Sequence, residues 1–177
     1  RLELWEGPLT PIDTANAAFA SADWTVRLAE WSTPLSAAPG GELTTLFYWQ
    51  ASEPAPGDAT VFLNLRDVTG RVVAAVDGQP TWFIPRPAAA WKAGSDNTVG
   101  VIDAHTLAVP GDVEPGRYEL VVGWTDAQTG ARFHRVTGAG NREGDEAVLG
   151  PVTIDPTARL RPDACCLAVE ACCTSME

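Results

Sequence analysis

Lysine is nearly missing from this chain. Of twelve basic residues only Lys92 is a lysine, and they face twenty-three Asp and Glu, for a formal net charge of −11. A surface of that sign repels nucleic-acid phosphates and anionic lipid, so no nucleic-acid partner is expected, and its plain use is solubility. No apolar run approaches the ~20 residues that cross a bilayer, so no membrane span is expected. Histidine occurs only as His105 and His134, outside HExxH or any other metal-ligand spacing. GxSxG, Walker and helix-opening GxGxxG patterns are missing too, and no pair of carboxylates is marked out for glycoside hydrolysis. A non-enzyme without cofactor is the expectation. Cysteine is missing from the first 164 residues, which excludes the inter-sheet bridge of antibody domains. The opening "RLELWEGPLT" has no basic-then-apolar secretory signal, so an extracellular protein would have lost that leader ahead of Arg1.

What is present reads as one all-β domain with two extensions. The 177 residues suit a domain of about 150 plus flanking segments, and 45% hydrophobic residues can build a core. Residues 1–21 hold Pro8, Pro11 and an Ala-rich run, and read as an extended leader. From Asp23 the period becomes two. Trp24, Val26 and Leu28 alternate with Thr25, Arg27 and Ala29, the pattern of a half-buried strand. "ELTTLFYWQA" is apolar on both faces and reads as an interior strand. In "ATVFLNLRD", Val61, Leu63 and Leu65 share a face, and Phe62 interrupts the polar one. "DVTG" and "AQTG" are hairpin turns that return through "RVVAAVD" and "ARFHRV". Seven to nine strands between Asp23 and Ile154, broken by Gly and Pro about every ten residues, indicate an Ig-like antiparallel sandwich over 22–155. Residues 156–177 form a linker and a cysteine tail.

The segments "GGELTTLFYWQ", "DATVFLNLRDVTGRVVAAVDGQP", "PGDVEPGRYELVVGWTDAQTGARF" and "VLGPVTI" carry a family resemblance. Through Tyr48, Trp49, Pro115, Gly116, Tyr118, Gly123 and the two turns, residues 40–154 resemble a bacterial Ig-like β-sandwich module. Such modules are appended to large surface or membrane-anchored proteins, including glycosyltransferase-like ones. The resemblance implies an accessory sandwich and has no catalytic residues to carry over. The cysteine tail and the leader depart from it.

Four features are candidates for function. Tyr118, after Pro115-Gly116, suits a tyrosine corner whose hydroxyl bonds a backbone group upstream. Of seven tryptophans, Trp24, Trp49 and Trp124 lie in strands and suit the core. Trp5, Trp82 and Trp91 lie in extensions or loops, where they could stack on a glycan or pack at an interface. Asp96, Asn97 and Asp103 are weak calcium candidates, since their spacing is not that of an EF-hand and turn formation explains Asp96 and Asn97 equally well.

The fourth feature is the tail, where Cys165 and Cys166 are followed after five residues by Cys172 and Cys173. On a continuous helix the pairs stand about 10 Å apart along the axis, beyond the ~7 Å Cα separation a disulfide tolerates. Internal bridging of a folded-back tail, disulfides to another chain, and metal thiolates stay open, although the spacing is unlike that of zinc sites. Bridging implies an oxidising place outside the cytosol. The expectation from the two extensions is an extracellular, non-catalytic structural subunit of a surface assembly, such as a pilus-like filament. Its leader and cysteines would join neighbours head to tail by self-association. A carbohydrate-binding accessory module using the loop tryptophans is the alternative.

Overall fold

A computed structural model describes residues 17–158, apart from 23, 56, 83, 86, 92–98 and 138. Its strands are β1 (Ala18–Ala20), β2 (Thr25–Ser32), β3 (Ser36–Ala37), β4 (Glu42–Ala51), β5 (Ala59–Arg66), β6 (Val72–Gly78), β7 (Thr81–Trp82), β8 (Ile84–Pro85), β9 (Val99–Ala108), β10 (Gly116–Asp126), β11 (His134–Val136) and β12 (Ala147–Ile154). One 3-10 turn, Ala88–Ala90, precedes Trp91. Two five-stranded sheets form the sandwich. The first has the order β11-β1-β2-β4-β9, the second β3-β12-β10-β5-β6, and β7 pairs with β8 alone. Seven strands have seven or more residues, in line with the expected number. Pairing is antiparallel except where β3 lies parallel to β12.

Alternation puts one face of each long strand into the core. Val61, Leu63 and Leu65 of β5 meet Leu120, Val122 and Trp124 of β10 there. β2 keeps its period through Val26 and Leu28. A bulge at Ala29 then shifts the phase, so that Trp31 is buried opposite Phe47. At the centre Trp124 packs edge-on against Trp24 (5.5 Å between ring centroids), Trp49 (5.1 Å) and Trp91 (5.9 Å), and stacks with Phe133. Such pairs add about 0.5–1.5 kcal/mol each beyond area burial.

The expected turns take specific form. Asp67 Oδ1 accepts hydrogen bonds from Thr69 N (2.9 Å) and Thr69 Oγ1 (2.6 Å), and Gly70 adopts φ 85°. Asp126 Oδ1 accepts from Gln128 N, Thr129 N and Thr129 Oγ1, with Gly130 at φ 71°. A left-handed residue at these tips is what glycine supplies without strain. The tyrosine corner is present: Tyr118 donates its hydroxyl hydrogen to the Glu114 carbonyl at 2.7 Å. After the second turn the chain passes from β10 of one sheet to β11 of the other.

Two segments differ from the sequence expectation. Residues 17–20, counted with the leader, join the sandwich: β1 pairs with β2 and β11, and Phe19 is fully buried against Trp49. The polar, glycine-rich stretch 139–146 is not counted among the expected strands, yet it folds back on β11 through Arg135 N to Gly144 O and Glu143 N to Arg135 O.

Strand directions define two ends. Ala51, Ala59 and Asp126 lie at one, the upper end, where Trp24 meets Trp124. Ser32, Glu42, Arg66, Gly116 and Ile154 lie at the other, the lower end. β1 runs antiparallel to the upper half of β2, with Ala18 opposite Arg27 and Ala20 opposite Thr25. β12 delivers Ile154 to the lower end.

Candidate functional site

Of the glycan, interface and metal candidates singled out in the sequence, Trp82, Trp91 and Asp103 lie among the described residues. Trp91 is 3% exposed, wedged against Trp24 and Trp124, so its indole has no free face for a sugar. That corrects its assignment as a loop platform. Trp82 contributes backbone to β7. Trp5, Asp96, Asn97, Cys165, Cys166, Cys172 and Cys173 lie outside the described residues. Asp103 is fully buried on the inward face of β9. Its Oδ2 accepts from Trp49 Nε1 (2.9 Å), its Oδ1 accepts from the Thr81 backbone N–H (2.8 Å), and His105 Nε2 stands 3.2 Å from Oδ2. Oδ1 holds β7 to the edge of the first sheet and Oδ2 holds the Trp49 indole of β4, which engages both oxygens in place of the calcium role considered for them. Among the described residues no group of three or more His, Cys, Asp or Glu is placed to hold a metal ion.

An open cleft of about 430 Å³ lies elsewhere, on the outer face of the second sheet at its upper end. β5 contributes Thr60, Phe62 and Asn64, β6 contributes Asp77, and β10 with its turn contributes Thr125, Asp126 and, beyond it, Arg132. Register explains the gathering. Phe62 lies opposite both Gly123 and Asp77, and Thr60 lies opposite Thr125. A Cβ on Gly123 would stand 2.5 Å from Phe62 Cε1 and 2.7 Å from the Asp145 carbonyl oxygen. Glycine therefore lets the ring lie down across β10, a known use of glycine inside a strand.

Arg132 covers the ring, its guanidinium carbon 4.3 Å from the centroid. The guanidinium is held there by Glu146 Oε1 (2.8 Å) and Asp145 Oδ2 (3.4 Å), while Arg66 takes the other oxygen of Glu146 at 2.6 Å. Phe62 is thus 2% exposed although it faces outward. The sequence held one signal of this site, an aromatic on the polar face of β5, but only the register shows what covers it.

The polar lining divides into engaged and free groups. Hydrogen bonds led by the Thr129 backbone N–H hold the Asp126 carboxyl below the usual carboxylate range. Asn64 is 7% exposed, yet no described residue hydrogen-bonds its side-chain amide, and the same holds for the side chains of Thr60, Thr125 and Asp77. The buried side-chain atoms left unpaired among the described residues belong to Trp31, Arg66, His105 and Trp124, so the Asn64 amide opens to solvent through the cleft.

No family model matches the chain, and no curated protein matches it. Among solved structures, one titled the crystal structure of the C-terminal domain of wzt is similar to it, at 11% identity and TM-score 0.42, over 76% of this chain and 82% of that one. The chain is a β-sandwich module on its own geometry. No helix among the described residues is long and apolar enough to cross a membrane.

Proposed function

We propose that the chain is a non-catalytic binding module of the kind appended to surface or membrane-anchored proteins, held by the segments that flank its sandwich and offering its cleft to a ligand. One observation carries this reading. β12 carries the described chain out at the lower end, and the cleft lies at the upper end. A module tethered through the segment after β12 points its cleft away from the tether. The chemistry near the cleft supports holding rather than turnover, since Asp145, Glu146 and Asp126 are tied into ion pairs and a turn. Amide chemical-shift mapping on the full chain tests it, using separate short-peptide, organic-cation, inorganic-anion and glycoside probes. Perturbations gathered at Thr60, Asn64, Asp77 and Thr125 are expected. Perturbations confined to the lower end, or none with any probe, would overturn it.

A second reading, the extracellular assembly subunit, keeps its support in the paired cysteines of the tail. Intact mass and gel mobility with and without reductant decide it, with ladders that collapse on reduction as the expected result. Because Ala18–Ala20 form β1, a leader deletion that spares the sandwich must stop at residue 16.

A further inference from the structure

We infer that the cleft is a seat for a neutral, hydroxyl-rich group, a sugar ring or a comparable polyol, with Asn64 and Asp77 reading its hydroxyls. This rests on the binding-module reading and names the ligand class for it. The cleft volume falls within the ~300–1,000 Å³ of small-ligand sites. The inference rests on which groups are free. Asn64 offers donors and an acceptor and is more than nine-tenths buried without a partner. Asp77 offers acceptors only, and the Thr60 and Thr125 hydroxyls offer both kinds. Nη2 and Nε of Arg132 remain as donors, since its contacts to Asp145 and Glu146 run through Nη1.

Other ligand classes fit less well. An anion meets Asp77 and Asp126, while Arg132 is already neutralised by two carboxylates. An organic cation finds no aromatic face, because Arg132 occupies that of Phe62. An apolar ligand would strip water from several polar groups and pair none of them. A hydroxyl both donates and accepts, so adjacent hydroxyls can give to Asp77 and take from Asn64 or Arg132 at once. An extended peptide could instead add to the edge strand β6, but its backbone would then lie beside the sheet and leave Asn64 unpaired.

The test is a titration of the full chain, followed by saturation-transfer and amide-shift NMR, with methyl mannoside, methyl galactoside and methyl rhamnoside. Sodium sulfate, tetramethylammonium chloride and a neutral hexapeptide run in parallel. At least one glycoside is expected to bind at the cleft. Asn64→Ala and Asp77→Asn should each weaken it about tenfold, and the surface change Thr44→Val should leave it unaltered. Asn64→Leu, close in shape, is expected to remove binding while the domain stays folded, because it deletes the amide's donors and acceptor. Cleft shifts with sulfate, tetramethylammonium or the peptide alone would overturn the ligand class and leave the binding-module reading standing. No cleft shifts with any probe would overturn both. Glycoside binding that survives Asn64→Leu would show that the amide does not read the ligand, and would overturn the inference.

Discussion

Gly123→Ala is the substitution that most directly tests how the second sheet is built. The new methyl would sit 2.5 Å from Phe62 Cε1 and 2.7 Å from the Asp145 carbonyl oxygen, where ordinary contact begins near 3.4 Å. The ring must therefore retreat by about 1 Å, on the scale at which dispersion contacts are lost outright. It cannot simply lift, because Arg132 lies over its other face, pinned by Glu146 and Asp145. Overpacking strain of this sort costs about 1–3 kcal/mol, and the disturbed cation–π contact adds about 0.5–1. The lower backbone entropy of alanine in the unfolded chain returns a few tenths of a kcal/mol. A net loss of about 2–3 kcal/mol lowers Tm by roughly 7–10 °C for a domain of this size. The assay is thermal and urea unfolding of wild type, Gly123→Ala, Phe62→Leu and the double variant. The double variant should be more stable than the sum of the single effects by about 1 kcal/mol or more, since leucine vacates the space the methyl needs. Gly100→Ala is the control: its methyl would press on the Tyr48 phenol, a side-chain end on the outer face that can swing into solvent. Gly123→Ala unfolding within 1–2 °C of wild type, or additive double-variant energies, would refute the packing argument.

Three further outcomes are expected. Tyr118→Phe, which deletes the 2.7 Å bond to the Glu114 carbonyl, should cost about 1 kcal/mol in urea unfolding; no loss would make the corner ornamental. Asp103→Ala leaves Trp49 Nε1 and the Thr81 N–H without their acceptor, so a loss of about 2–4 kcal/mol is expected, and Asp103→Asn should recover part of it. Asp67 is held down to about 2, first by the Thr69 hydroxyl; Asp126 and Asp155 are lowered first by the Thr129 and Thr157 backbone N–H groups. Each folded value lies below the unfolded value near 3.9, so the stability these carboxylates add is full above about pH 4 and drains away toward pH 2. A Tm–pH curve of Asp67→Asn with Asp126→Asn and Asp155→Asn should therefore start lower at neutral pH and fall less in acid; parallel curves would disprove the linkage.

Local pattern revealed some parts of this molecule and hid others, for separable reasons. The faces of β5 and of β2 up to Leu28 were legible because period-two alternation runs unbroken through those stretches. The Asp-Thr-Gly turns and the tyrosine corner were legible because their partners lie within four residues in sequence. The place where Trp91 packs was hidden because nothing local in a proline-broken stretch shows that Trp24 and Trp124 wait for it. The Ala29 bulge was invisible because an extra residue is recognised only against a partner strand. The cleft was legible only as an aromatic out of place, since Phe62 meets Gly123 and Arg132 through pairings some sixty to seventy residues apart.

The three-residue strand β1 also constrains the order of events as the chain is made. β2 and β4 can pair once residue 51 has emerged, but β1 lies between β2 and β11, and β11 ends at Val136. The earliest part of the sandwich therefore waits for nearly the latest before its sheet edge is complete. Until then Phe19 has one neighbour strand instead of two. A chain released before that residue is reached carries an unfinished edge, the surface on which strands of separate molecules find one another.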